Sequence, residues 1–295
     1  MNYRHAFHAG NPVDCAKHAL LVALLDALAR KPAPYAYIET HAGRGSYVLD
    51  HGDAVATGEA TAGIQRLRQR RIGAPLAVAE YLALVDATNP GLASGAPAHR
   101  YPGSPLIAVQ RARDGDRAVL CEAQTAEASA LERALQRAFA HDARRHGATQ
   151  VEVRNADGWR ELKALVPPRE RRGLVLIDPP YERADEFRVA ADGFSDALSR
   201  WPSGIVALWY PLKDTAEAAG LERRVAAAVT TKTLRLRFNL RDDGPGLLGC
   251  GLLVANPPFR FDEEARAVLE FVHDALALGH GSTSVAWLVA ESHRD

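Results

Sequence analysis

The chain has 295 residues, 47% of them hydrophobic, which is enough for one large α/β domain with a substantial core and excludes global disorder. Lysine plus arginine and aspartate plus glutamate both number 36, so the net charge is zero and a purely electrostatic nucleic-acid binder is excluded. Cys15, Cys121 and Cys250 are too few and too far apart for a disulfide framework or a CxxC metal site, and read as buried free thiols.

The N-terminal "MNYRHAFHAGN" has no apolar h-region, and no run approaches the ~18 apolar residues of a membrane span, so a soluble, cytoplasmic protein is expected. Asn11 to Lys31 reads as a long helix, with leucines at helical spacing, Asn11 as N-cap and Pro12 in the first turn. "AYIET" (36–40) is a short strand ending in the glycine-bearing loop "HAGRGSY". Residues 55–96 carry helical, arginine-bearing stretches and are expected to form a small helical insertion within a single 1–295 domain. "YPGSPLIAVQRAR" comes next.

"AVLCEA" (118–123) is the next strand, then a helix through "EASALERALQRAFAHDARRH", then "QVEVRNADGW" as strand and turn. "GLVLIDPP" is the most apolar strand up to that point. A helix over 183–200, the strand "GIVALWYPL", a helix "DTAEAAGLERRVAAAV", "KTLRLRFNL", "GCGLLVANPPF", a helix over 263–278 and a strand "STSVAWLVA" complete the chain. Strands alternating with helices predict a mostly parallel, doubly wound sheet.

In such sheets ligands sit beyond the carboxyl ends of the strands, so the residues just past each strand carry the functional reading. After strand one, Gly43 and Gly45 permit a sharp turn and close backbone approach, but the full GxGxxG spacing and a P-loop lysine are missing. Strand two ends in Glu122, either a solvated strand-end acid or an acceptor for both ribose hydroxyls of a nucleoside cofactor. Asp157 before Gly158 is first a turn signal, with contact to an adenine amine as the alternative.

The fourth strand, Leu174 to Ile177, runs into Asp178-Pro179-Pro180-Tyr181. Asp178 and the Pro179 carbonyl supply two acceptors for an exocyclic amine. The prolines fix φ, so the acceptors are pre-placed, and Tyr181 offers a face to a base. An aromatic amine is a poor nucleophile because its lone pair is delocalised; two acceptors draw it toward a tetrahedral nitrogen. A ribose-binding acid, a glycine loop and this amine grip together describe S-adenosylmethionine-dependent methylation of a nucleobase amine. The four residues look like the [DNS]PP[YFW] motif of amino-methyltransferases acting on adenine N6, cytosine N4 or guanine N2, so they define the reaction better than the base.

"YRHAFHAGNPVDCAKH", "THAGRGSY", "YPGSP", "RRGLVLIDPPYE", "ALWYPL" and "NPP", in order from Tyr3 to about Trp287, resemble the RlmJ family of bacterial 23S ribosomal RNA adenine-N6 methyltransferases. The resemblance implies a Rossmann-like class I methyltransferase sheet with a helical insertion, S-adenosyl-L-methionine as cofactor, a monomer, and adenine 2030 of 23S rRNA as target; Asp14 and His18, one helical turn apart, are only two candidate ligands, so no metal is expected. It also implies cofactor contacts at His18, His41, Ser104, Glu122, Asp157, Gly158 and Asp178, and substrate-side positions at Tyr3, His5 and Lys17. Two departures stand out: Glu39 occupies the first-strand position where aspartate is expected, and Ala-Gln-Thr follows Glu122 where a His-Pro pair is usual. Arg66, Arg68, Arg70 and Arg71, with Arg144, Arg145 and His146, read as solvated helix faces, or as phosphate contacts if they flank the cleft. The rival readings are a DNA adenine-N6 methyltransferase and a non-catalytic RNA-binding assembly protein.

Overall fold

The computed structural model describes residues 9–49, 58–93, 95–140, 150–244 and 246–290. An eight-stranded sheet runs through it in the order β10-β8-β9-β7-β6-β1-β4-β5. Its five parallel strands are β1 (Ala36–Glu39), β4 (Arg117–Cys121), β5 (Gln150–Arg154), β6 (Gly173–Ile177) and β7 (Ile205–Leu212). Beyond β7 the pairing turns antiparallel through β9 (Gly249–Ala255), β8 (Thr233–Asn239) and β10 (Ser282–Val289). The expected Rossmann-like sheet is therefore present, with three antiparallel pairs on one flank. A separate short pair, β2 (Ser46–Val48) with β3 (Arg100–Pro102), brackets the insertion.

The central strands are buried on both faces and so read as continuous apolar runs. Along β6, Leu174 and Leu176 enter one core and Val175 and Ile177 the other, the alternation the pleat imposes. The first core lies beneath α1 (Pro12–Ala29), the insertion, α4 (Ser104–Arg111), α5 (Thr125–Ala140) and α9 (Phe261–Leu276). The second lies beneath α6 (Gly158–Leu165), α7 (Glu186–Arg200) and α8 (Thr215–Ala228).

Helix α1 is capped as its sequence predicts: Asn11 accepts from the Asp14 N–H at 2.8 Å, with Pro12 opening the helix. It is buried almost all round, because the insertion covers its outer side. The insertion departs from a plain helix. A π-helical turn, Thr61–Gln65, leads into the short α2 (Arg66–Gln69), and α3 (Leu76–Ala87) follows. The cause is Gly63, where a Cβ would lie 2.1 Å from the Gly10 carbonyl; the two backbones meet there, and Ile64 N–H donates to Gly10 O at 2.8 Å. Arg68 and Arg71 both pair with Asp86 of α3, at 2.9 and 2.8 Å, so two of the four insertion arginines are engaged within the insertion itself. Arg144, Arg145 and His146 lie outside the described residues. Among the described residues no helix is long and apolar enough to cross a membrane.

Candidate active site

Strand order reverses at β1: the chain proceeds to β4 and β5 on one side, then returns to place β6 on the other. Residue Glu39 of β1 is level with Leu120 of β4 and with Leu176 of β6. The segments after these strands, Thr40-His41, Glu122 and Asp178, therefore emerge at one edge, at the switch point where α/β sheets bind ligands.

Asp178 is the first residue past the buried run of β6, and its side chain retains 15% exposure. Its Oδ2 accepts from Lys17 Nζ at 2.8 Å. Lys17, on the first turns of α1, also lies 3.2 Å from Asp14 Oδ1 and 5.1 Å from the centre of the Trp209 ring. Lys17 is 6% exposed, so this is an almost dry ammonium held between two carboxylates and an aromatic face. Sequence reading placed Lys17 on the substrate side by resemblance; its contact with Asp178 spans 161 positions and had no local signal. Asp14 and Trp209 were not read as partners of Lys17, although Asp14 and Lys17 are spaced to meet on one helix face.

Pro179 is buried and Pro180 exposed. Tyr181 adopts φ 53°, a left-handed conformation that costs a non-glycine residue on the order of 1–3 kcal/mol. The fold holds it there: its hydroxyl donates to the Trp209 carbonyl at 2.7 Å, and its ring centre is 4.6 Å from that of Phe187. Burial pushes the Tyr181 phenol well above its ordinary range, so it stays neutral.

Glu39 is fully buried. Its carboxyl accepts from Ser104 Oγ at 2.5 Å and from the Tyr37 hydroxyl at 2.9 Å. Burial pushes it up to about 8; those two hydrogen bonds oppose the shift and the nearby Asp178 charge adds to it. His41, by contrast, is pushed down to about 4, again by burial, and is neutral near pH 7; its Nδ1 meets Thr40 Oγ1 at 2.8 Å. Their effects on stability have opposite signs. The native state holds the Glu39 proton after the unfolded chain has released it, so this contribution is present below pH 4.5 and lost as pH rises through about 8. The His41 contribution is present above 6.5 and lost as pH falls through about 4. Glu39→Gln, which keeps an acceptor and is uncharged, is expected to flatten the decline of melting temperature between about pH 6.5 and 8 relative to wild type. Parallel melting curves with the same slope in both proteins would overturn this assignment.

Glu122 and Asp157 follow β4 and β5, on the other side of β1. Glu122 is 8% exposed, and burial raises its carboxyl. One oxygen accepts from Gly43 N–H and the other from Gln124 N–H, both at 2.8 Å. Gly43 has φ 63°, a conformation that favours glycine, and this turns its amide toward Glu122. Asp157 is an exposed N-cap of α6, its Oδ1 accepting from Trp159 N–H at 2.9 Å, as its turn reading predicts. Gly158 packs that helix onto the end of β1: a Cβ there would lie 1.9 Å from Thr40 O. His18 is buried, with Nδ1 2.6 Å from the Tyr101 hydroxyl. Tyr3 and His5 lie outside the described residues.

This donor set suits a nucleoside cofactor. The Glu122 carboxyl is oriented by backbone hydrogen bonds to both its oxygens, and two carboxylate oxygens match two vicinal hydroxyls. Among the described residues no group of three or more His, Cys, Asp or Glu is gathered that could hold a metal ion.

The family model described as "Ribosomal RNA large subunit methyltransferase D, RlmJ" matches residues 32–289. "Ribosomal RNA large subunit methyltransferase J" of Escherichia coli (strain K12) is 34% identical over 294 residues, covering 99% of this chain and 100% of the relative. The protein of the same name from Haemophilus influenzae is 33% identical with the same coverage. The crystal structure of a Legionella pneumophila protein superposes with a TM-score of 0.85 at 32% identity, covering 95% of this chain and 98% of that one. The strand-end acids, the glycine turn and the Asp178-Pro179-Pro180-Tyr181 corner thus sit in a chain that belongs to the RlmJ family of methyltransferases.

Proposed function

We propose that this chain methylates N6 of a single adenine in 23S ribosomal RNA, adenine 2030 by family resemblance, with S-adenosyl-L-methionine as methyl donor. The observation that carries the reading is the Lys17–Asp178 contact at the switch point, beside the strained Tyr181. When bound, the cofactor supplies an electrophilic sulfonium methyl group. The chain's residues do the rest by positioning and electrostatics. Glu122 takes the ribose hydroxyls, and His18, His41, Ser104, Asp157, Gly158 and Asp178 complete the cofactor wall.

The target base leaves its stack and lies on the face of Tyr181. Lys17 occupies Asp178 Oδ2, which leaves Oδ1 to accept one N6 hydrogen while the Pro179 carbonyl accepts the other. The amine lone pair is thereby aimed at the methyl group. Tyr3 and His5 join Lys17 on the substrate side by resemblance. The 1–295 chain works as one cytoplasmic, monomeric methyltransferase unit in this reading, with 55–96 as a helical insertion within it.

The experiment is mass-spectrometric mapping of N6-methyladenine in 23S rRNA from a deletion strain. Loss of one modified adenine, restored by wild type but not by Asp178→Ala, is expected. An unchanged rRNA map, or loss of N6-methyladenine from DNA instead, overturns the proposal.

A further inference from the structure

On the antiparallel flank of the sheet, four residues build an ionic cluster that the methyl-transfer step does not use. Glu222 of α8 is 5% exposed. Its Oε1 accepts from the Tyr210 hydroxyl of β7 and from Nε and Nη2 of Arg237 on β8, the latter two at 3.1 and 2.8 Å. Its Oε2 accepts from Nη1 of Arg235, also on β8, at 3.2 Å. Burial works against the Glu222 charge, but the hydrogen bonds from Tyr210 and Arg237 outweigh it and hold the carboxyl below its ordinary range. Burial, and then the Glu222 charge, push the Tyr210 phenol well above its own range, so it stays a neutral donor. Two cations therefore share one anion.

Sheet register places this cluster at the active-site edge. Strand β9 is antiparallel to both β7 and β8, so β8 runs in the direction of β7 and ends at the same edge. Gly251 of β9 pairs with Tyr210 on one side and with Arg237 on the other, giving one row across three strands. A Cβ at Gly251 would lie 2.1 Å from the Tyr210 ring, so the missing side chain is what lets the phenol lie across β9. The row begins beside the Asp178–Tyr181 corner, because Tyr210 follows Trp209, whose carbonyl holds the Tyr181 hydroxyl. Strand β6 is level with β7 at Ile177 and Leu208, so Asp178 and Tyr210 both stand just beyond that level. With neighbouring strands ~4.8 Å apart, β8 lies about 14 Å from the strand that delivers Asp178, the reach of a neighbouring nucleotide rather than of the target base.

The cluster carries more charge than pairing requires. One guanidinium would balance Glu222, and a buried ion pair adds little net stability over apolar residues of similar volume. The Arg235 and Arg237 side chains are 31% and 29% exposed. Among the described residues nothing engages Arg235 Nη2 or Arg237 Nη1, and Arg235 Nε is buried without a partner. Guanidinium donors held on adjacent same-face positions of one strand, with unused N–H groups, suit phosphate oxygens.

We propose that Arg235 and Arg237 grip the phosphodiester backbone of the RNA substrate beside the target nucleotide, with Glu222 and Tyr210 holding the two guanidinium forks in place. This rests on the reading of ribosomal RNA as the substrate. It also gives the antiparallel flank a task, and it places a phosphate contact on a chain whose net charge is zero.

The test uses the full-length protein and an unmodified 23S rRNA transcript, with binding measured across a salt series. Arg235→Gln and Arg237→Gln are each expected to weaken binding by about threefold to tenfold and to reduce the slope of log affinity against log salt by about 0.7–1, as for loss of one phosphate contact. The loss is expected in KM for RNA rather than in kcat or in S-adenosylmethionine affinity. Each variant leaves the other guanidinium on Glu222, so the carboxylate keeps a partner, and melting curves check folding. Arg237→Lys keeps the charge but not the fork, and is expected to recover the slope and part of the affinity. Arg260→Gln removes the same charge at the opposite edge of the sheet, beyond the end of β9, and is expected to bind RNA as wild type does. Wild-type slopes in both glutamine variants overturn the proposal. So does weaker binding with an unchanged slope, which a merely loosened fold produces. A slope that falls equally in Arg260→Gln reports net charge alone and also overturns it. In each of these cases methylation by the wild type leaves the proposed function standing. A wild type that neither binds nor methylates the transcript breaks that reading itself.

Discussion

Asp178→Ala is expected to lower methyl transfer to unmodified 23S rRNA by about a thousandfold or more while cofactor binding stays measurable. Removing one pre-placed group that stabilises developing charge typically costs 10²–10³-fold in rate, roughly 3–4 kcal/mol. Asp178 is more than one such group: it accepts from the reacting amine and also receives Lys17 at 2.8 Å. Alanine removes both contacts, but Lys17 keeps Asp14 at 3.2 Å, so α1 remains anchored over the strand ends. The Glu122–Gly43 bond lies on the other side of β1 and is untouched. Asp178 is also part of the cofactor wall, so cofactor affinity in calorimetry is expected to fall but to stay measurable, within about tenfold or ~1.4 kcal/mol. Asp178→Asn refines the point. It preserves volume and one acceptor oxygen, but its amide N–H has no use beside an ammonium, so the side chain is expected to settle with its oxygen on Lys17 and its N–H toward the amine. Two donors then face each other, and activity is expected to be close to that of alanine. Turnover within tenfold of wild type in either variant would remove Asp178 from the chemistry.

The strand ending in that aspartate was legible because its signals are local: four apolar residues in a row, two prolines, then an aromatic. The βα alternation was legible for the same reason, and so were the Asn11 cap and the turn at Asp157. What escaped was set by partners distant in sequence. The turn to antiparallel pairing at β9 is decided by where 249–255 lands beside β7, not by its composition. Helix α1 is buried nearly all round, so its apolar spacing did not reveal that its first turns carry Lys17 to Asp178. Glu39 looked like a departure from an expected aspartate. In the fold it is bound to Ser104, 65 positions away, and its longer side chain makes that contact at 2.5 Å. The contact of His18 with Tyr101, 83 positions away, is likewise announced by no single segment.

Lys17→Met is expected to cost both stability and activity. Lys17 is 6% exposed, Asp14 5% and Asp178 15%, so its ammonium is at contact distance from two nearly dry carboxylates. Breaking a buried pair by deleting one partner costs about 3–5 kcal/mol, because the remaining charge is left in a poor solvent. For a domain of this size that corresponds to a fall in melting temperature on the order of 10 °C. Methionine preserves most of the stem's contact with Trp209, so the loss reports the charge. Activity is expected to fall by about a hundredfold at pH 7, since Oδ2 is no longer pinned and Asp178 is free to rotate. Asp14→Asn in the Lys17→Met background removes the second anion, and is expected to restore stability beyond the sum of the single changes. Lys17→Arg retains charge but is too broad for the slot between Asp14, Asp178 and the indole, and should be intermediate. A Lys17→Met protein with wild-type melting temperature and rate would show that the contact with Asp178 has no part in holding the amine's acceptor in place.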